Sequence, residues 1–220
     1  MIKQNILSID SSLQNNLVAM LYNNKLYYNV HTCKHHEKNL LTMIQNLLTD
    51  QKARIQDFQI ISFTTGPGSF TGIRLSASIA QGLSILNNIH LIGISTLEVL
   101  AEQIWRLYKI KKIIICNIAN KKQVYWVKYT KNIKNIWNGK EVLLHINQAV
   151  QKIKNLKNTW YITGSGKIHF QNLYNPFLKY IETNQSYAKD LIKLTILAKK
   201  KKNFFLLNDI QLNYLHNPKY

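Results

Sequence analysis

Gly66-Pro67-Gly68-Ser69-Phe70-Thr71-Gly72-Ile73-Arg74 joins a run that reads as a buried strand, Ile60 to Thr64, to one that reads as a helix, Ser69 to Leu86. Three glycines and a proline at that junction force the chain to turn tightly from strand into helix, and they let its backbone approach another surface closely. The first turn of such a helix carries backbone N–H groups with no intrahelical partner, which is favourable ground for an anion. Turn geometry alone accounts for the glycines equally well. A Walker phosphate loop is excluded, because that motif ends in Gly-Lys-Ser/Thr and this one in Gly72-Ile73-Arg74. A hydrolase nucleophile elbow is excluded too, since Gly68-Ser69-Phe70-Thr71-Gly72 has no residue between its first glycine and the serine.

The 220 residues are 46% hydrophobic, enough to bury one substantial core or two modest ones. No apolar run reaches the roughly 18 to 20 residues that span a bilayer, and the N-terminus lacks the pattern of a signal peptide, so a cytoplasmic protein with no membrane contact is expected. Cys33 and Cys116 stand far apart, which predicts reduced thiols. The net charge of +19 is almost all lysine, the arginines being Arg54, Arg74 and Arg106. Lysine, asparagine and isoleucine share AT-rich codons, so composition competes with a nucleic-acid surface as the origin of the charge. The run Lys199 to Lys202 also suits a helix C-terminus.

Periodicity lays out the first part as a strand (Asn5 to Asp10), a hairpin (Leu17 to Tyr22, Leu26 to Val30), a helix (Glu37 to Leu48), a strand (Ile60 to Thr64), the Ser69 helix, a strand (Leu91 to Ile94) and a helix ending at Tyr108. A second unit is expected to begin after it, giving domains 1–108 and 109–220. That unit reads as strands at Ile113 to Cys116, Val124 to Tyr129, Ile136 to Leu144 and Tyr161 to Thr163, helices at Asn147 to Leu156 and Tyr187 to Lys202, and a last strand at Ile210 to Tyr214. The pattern predicts an α/β fold with mixed sheets flanked by helices.

From Ile6 to Ala101 the chain resembles the TsaB family. The resemblance rests on Ile9-Asp10-Ser11-Ser12, on His36 followed by Leu40-Leu41 and Met43, on the glycine segment, on Ala80-Gln81-Gly82-Leu83 and on Ile92-Gly93-Ile94-Ser95-Thr96-Leu97. Thr42, Asn39, Ile118 and Asn120 depart from the family pattern, and past residue 105 only Val124-Tyr125-Trp126 and Gly164-Ser165-Gly166 stand out. The resemblance implies the two-domain fold shared by actin, hexokinase, Hsp70 and acetate kinase (ribonuclease H-like). It also implies a non-catalytic partner of TsaD in placing threonylcarbamoyl on the adenosine beside the anticodon of tRNAs reading codons that begin with A. The expected partners are a TsaD-like protein as heterodimer, a TsaE-like ATPase, and tRNA through the complex, with self-association of the lone chain left open. No cofactor of its own is implied, ATP and metal being used by TsaC, TsaD and TsaE.

Within that picture the partner interface is expected on the first and second helices, at His36, Leu40, Met43, Ser69, Arg74, Ser76, Ala80 and Ser84, where Ser76, Ala80 and Ser84 form a ridge of small side chains. An anion or nucleotide loop, if retained, would use Asp10, Ser11, Ser12, Gly66, Gly68, Ser69, Thr71 and Gly72. No catalytic residue is expected. The chain has 10 acidic residues, and Ile118-Ala119-Asn120 offers no carboxylate to hold magnesium opposite Asp10, which argues against an active ATPase or kinase. No nucleophile–base pair supports a peptidase, and His31, His35 and His36, beside Lys34, make a poor metal site, so none is expected. A stand-alone basic tRNA binder is a further alternative.

Overall fold

The computed structural model describes residues 4–32, 40–182, 185–201, 212, 213 and 215. It divides into two compact units, Met1–Val99 with Ser186–Asn213, and Leu100–Gln185 with Tyr214–Tyr220. The first carries strands β1 (Ile6–Asp10), β2 (Asn15–Tyr22), β3 (Lys25–Thr32), β4 (Ile60–Gly66) and β5 (His90–Ser95), with helices α1 (Leu40–Asp50), α2 (Phe70–Asn87) and α5 (Ala188–Lys200). Helix α3 (Thr96–Tyr108) leads out of it. The predicted hairpin turn is present, and Asn23 and Asn24 both take positive φ.

The strands form one sheet in the order β3-β2-β1-β4-β5, antiparallel among β1, β2 and β3 and parallel across β1, β4 and β5. Both faces are covered. Leu7 and Ile9 of β1 and Ile61 and Phe63 of β4 meet α1 and α2 in one core. Ile6 and Ile60 point the other way, into a core completed by Leu191, Ile192 and Leu194 of α5. The other residues of β1 and β4 on that side, Ser8, Asp10, Ser62 and Thr64, are polar, and they pair with one another, with α5 and with its N-cap Tyr187. The Ser8 and Ser62 hydroxyls lie 2.6 Å apart, Thr195 Oγ1 donates to Ser62 Oγ at 2.7 Å, and Tyr187 Oη donates to Asp10 Oδ2 at 2.7 Å.

Helix α5 therefore belongs with the first sheet, which differs from a single boundary at residue 108. Its apolar stripe needs a sheet face, and β1, β2 and β5 provide it. The last strand expected at Ile210 to Tyr214 lies mostly outside the described residues; Asn213 N donates to Thr65 O at 2.8 Å.

The second unit repeats the plan. Strands β6 (Lys112–Ile118), β7 (Gln123–Lys131), β8 (Trp137–Asn138), β10 (Trp160–Thr163) and β11 (Leu178–Tyr180) run in the order β11-β10-β6-β7-β8, and β9 (Val142–His145) also pairs with β7. The strand expected from Ile136 to Leu144 is two short ones with Gly139 between them, where a Cβ would come within 2.7 Å of Lys128 O. Antiparallel β6–β7 and parallel β6–β10–β11 match β1–β2 and β1–β4–β5 strand for strand. The duplication is in topology and leaves no trace of residue identity. Helix α4 (Ile146–Lys154) covers one face through Ala149 and Ile153. Away from that core, Lys131 and Glu102 form a fully buried ion pair. Trp137 Nε1 donates to Glu102 at 2.9 Å, and the Trp137 ring lies 4.3 Å from the Lys131 ammonium.

Candidate functional site

Asp10 ends β1 and lies wholly buried, as do Ser11 and, nearly, Ser12. Its Oδ1 accepts from Ser12 N at 2.7 Å and from the Thr64 hydroxyl, and its Oδ2 accepts from Tyr187 Oη. Burial first, then the Asp10 charge and its hydrogen bond, raise the Tyr187 phenol well above the ordinary tyrosine range. Ser11 Oγ donates to Asn16 Oδ1 at 2.6 Å, and Ser12 Oγ accepts from Thr96 Oγ1 at 2.9 Å. The loop after β1 is thus bonded into its own unit, with its carboxylate held by three donors.

The glycine segment closes over this loop. A Cβ on Gly68 would fall 2.2 Å from Ser12 O, and one on Gly72 would fall 1.8 Å from Ser11 O. Ser69 N donates to Ser12 O at 2.8 Å, and Ser69 Oγ caps α2 by accepting from Gly72 N at 3.3 Å. Gly66 takes φ +98° and precedes a cis peptide to Pro67. So Asp10, Ser11, Ser12, Gly68, Ser69 and Gly72 do converge, with Gly68 and Gly72 seated on the Ser12 and Ser11 backbone, while Gly66 faces the Ile73 side chain and Asn213 O. Thr71 points outward.

The model of the family "TsaD: tRNA N6-adenosine threonylcarbamoyltransferase" matches residues 30–201. A protein of Buchnera aphidicola (subsp. Acyrthosiphon pisum), the "tRNA threonylcarbamoyladenosine biosynthesis protein TsaB", is 41% identical over 96% of this chain and 97% of its own. The chain belongs to the TsaB family. The TsaB protein of Escherichia coli is 29% identical, covering 73% of this chain and 71% of that one. A Pseudomonas aeruginosa crystal structure described as similar to the peptidase YeaZ shares the fold, with a TM-score of 0.85 at 22% identity over 97% of this chain and all of that one. The two-sheet α/β architecture is the fold of this TsaB-family chain, and its place is in tRNA threonylcarbamoyladenosine biosynthesis.

The helix residues expected at a partner surface separate into two groups. Ser76, Ala80 and Ser84 of α2 and Leu40 and Met43 of α1 are buried, facing the first sheet, so the small-residue ridge serves close helix-to-sheet packing within this unit. Ser84 Oγ donates to Ile89 O, while Ser76 Oγ has no hydrogen-bond partner among the described residues. Arg74 is exposed, its guanidinium 3.7 Å above the Phe70 ring. His36 lies outside the described residues. The outward face of α2 carries Phe70, Arg74, Ser78, Gly82, Ile85 and Leu86, of which Leu86 is 81% exposed. Gly82 has nothing within 4 Å of where its Cβ would stand.

In the second unit, Gly164-Ser165-Gly166 follows β10 as the glycine segment follows β4. Gly164 takes φ +103°, its Cβ would fall 2.3 Å from Cys116 O, and Ser165 N donates to Asn117 Oδ1 at 3.1 Å. The Cys116 thiol is buried, which pushes it up to about 12 and leaves it inert at neutral pH. No group of three His, Cys, Asp or Glu that would hold a metal ion occurs among the described residues, and no described helix is long and apolar enough to cross a membrane.

Proposed function

We propose that this chain is a non-catalytic partner of a TsaD-like threonylcarbamoyltransferase, required to form N6-threonylcarbamoyladenosine beside the anticodon of tRNAs that read codons beginning with A. The observation that supports this best is the state of Asp10. An enzyme of this fold needs that carboxylate facing phosphate and metal. Here it is wholly buried, bonded to Thr64, Ser12 and Tyr187, and the glycine segment is seated on the two residues that follow it. Catalysis, ATP and metal then belong to TsaD-, TsaE- and TsaC-like proteins, and tRNA is reached through the complex, in the cytoplasm.

The partner surface we assign is the outward face of α2, centred on Gly82, Ile85 and Leu86 and running to Arg74 and Phe70. A glycine inside an exposed helix costs about 1 kcal/mol against alanine, and nothing in this unit demands it at 82. A helix packed against that face would use the missing side chain, and Ile85 and Leu86 would become its apolar contact.

The test is co-purification with the cognate TsaD-like protein, followed by threonylcarbamoyl transfer to tRNA with each component omitted in turn. Activity should require both proteins, and Ile85→Lys with Leu86→Glu should remove complex and activity together while the lone chain melts within a few degrees of wild type. Nucleotide turnover by the chain alone, or transfer without it, would overturn the proposal.

A further inference from the structure

The second unit is much more basic than the first. Leu100 to Gln185 holds 15 Lys and Arg against 3 Glu, and all three glutamates are engaged: Glu102 with Lys131, Glu182 with Lys167, and Glu141 as acceptor from Tyr129 Oη at 2.6 Å. Three carboxylates against fifteen cations leave this stretch strongly basic.

Three of those lysines gather at one end of the face that α4 covers. Lys112 of β6 pairs in register with Thr130, and Lys128 pairs with Ile114, so Lys112 and Lys128 are diagonal neighbours on one face of adjacent antiparallel strands. Ile114, Trp126 and Ile162 of the α4-side core continue that face inward. Trp160, at the start of β10 and also in that core, lies beneath the Lys128 ammonium at 4.2 Å. Lys152, in the last turn of α4 beside Ile153, which shares the core of Trp126 and Trp160, acts on Lys128 through its charge and completes the group. Burial lowers the Lys128 pKa from its ordinary value, and the charges of Lys152 and Lys112 lower it further, so both repel Lys128. Lys154 and Lys157 extend the exposed cluster along the chain.

We propose that the Lys112–Lys128–Lys152 cluster is a docking surface for the phosphate backbone of RNA. Three ammonium groups held on three separate elements match the spaced charges of a phosphate chain. The Trp160 ring is buried beneath Lys128 and cannot stack on a base, so the surface reads phosphate and not sequence. The choice of RNA over another polyanion rests on the proposed role in tRNA modification; the existence of the surface does not.

The experiment is fluorescence anisotropy of the intact chain with labelled tRNA, with a scrambled RNA of equal length, and with vesicles of anionic phospholipid, from 50 to 200 mM salt. Wild type should bind both RNAs comparably, with a steep salt dependence. Lys112→Gln, Lys128→Gln and Lys152→Gln together should weaken RNA binding about ten- to thirtyfold at the lower salt and flatten the salt slope by about 2 to 3, since each neutralised phosphate contributes roughly 0.7 to 0.9. The same three positions changed to arginine should retain binding. A control triple with the same charge loss in the same unit, Lys121→Gln, Lys134→Gln and Lys140→Gln, should change affinity less than about threefold. Equal losses in the two glutamine triples would reduce the effect to net charge and overturn the proposal. So would unchanged binding in the cluster triple, or vesicle binding without RNA binding. Partner-dependent transfer is measured separately, so a failed docking surface and a failed partner role give different results.

Discussion

The two units share one topology and use it differently at the same place. In each, the loop after the second strand of the parallel set, β4 or β10, packs glycines onto the end of the neighbouring central strand: Gly68 and Gly72 on Ser11 and Ser12, Gly164 and Gly166 on Cys116 and Asn117. The first loop launches the 18-residue α2 over a sheet whose buried carboxylate, Asp10, is held by neutral hydroxyls and an amide. The second launches only the six-residue 3-10 turn Ser165–Phe170, and its unit's buried carboxylate, Glu102, is held by a lysine. One fold thus stabilises a buried negative charge in two ways, by dipoles in one half and by an opposite charge in the other.

The sharpest way to break the comparison is to fill the glycines. Gly72→Ala drives a methyl into Ser11 O at 1.8 Å, against backbone that cannot yield without moving β1. A loss of roughly 4 kcal/mol or more is expected, at the upper end for single substitutions. Gly164→Ala adds the penalty of a side chain at φ +103° to a 2.3 Å contact with Cys116 O, and should cost about as much. Urea unfolding of each variant checks both; a loss below about 1 kcal/mol at Gly72 would mean that the two loops do not seal.

Next come the buried carboxylates. Glu102→Ala strands the Lys131 ammonium without its counter-charge and should cost about 3 to 5 kcal/mol, whereas Glu102→Leu combined with Lys131→Met should recover most of that. Asp10→Ala leaves the Thr64, Ser12 and Tyr187 donors without their acceptor, at about 2 to 4 kcal/mol, and Asp10→Asn should cost less because the amide oxygen still accepts. Denaturant titrations of the four variants rank these effects. If Asp10→Ala were instead stabilising, as removal of a strained catalytic acid often is, the structural role assigned to Asp10 would fail.

Much of the first unit is legible in the sequence because its strands and helices carry clear periods. The hairpin, α2 and the strand-to-helix turn all stand where the residues place them. The role of Asp10 is not legible locally, since its third donor, Tyr187, comes from the far end of the chain. A signal does exist: Ile6-Leu7-Ser8-Ile9-Asp10 and Ile60-Ile61-Ser62-Phe63-Thr64 repeat one pattern, with polar residues at alternate positions of otherwise apolar strands. Such a pattern requires a covering element that also brings polar groups. The small-residue ridge of α2 misled for a related reason. Ser76, Ala80 and Ser84 say that something approaches closely, and a sheet of the same unit satisfies them as well as a partner helix would. The second unit reads less well because β8, β9 and β11 have four residues or fewer, too short to establish a period.

Alkaline pH separates the two halves through their buried acids. The Tyr187 phenol is raised well above its ordinary value, and the Cys116 thiol from 9.0 to about 12. Both groups are neutral in folded and unfolded chains below those ordinary values, so their contribution is fully present at neutral pH. As pH rises past about 9, the unfolded chain ionises first, and stability falls until the folded groups ionise too. Tyr187→Phe and Cys116→Ser should each flatten part of that decline, measured as melting temperature between pH 8 and 11. Tyr187→Phe should also cost about 1 to 2 kcal/mol at neutral pH, by removing one donor from Asp10. Native Cys116 should resist alkylation at pH 8 until the chain is unfolded.

The smallest effect bears on the partner surface. Gly82→Ala adds a methyl into open space on the exposed side of α2, and the isolated chain should gain about 0.5 to 1 kcal/mol from the better helix former. If a partner helix packs at that position, the same methyl holds it off, and the complex should weaken severalfold even as the lone chain becomes more stable. Opposite signs in the melting of the chain and in its affinity for the TsaD-like protein would separate a glycine kept for contact from one kept for folding. Gains in both would move the contact to another face of the first unit.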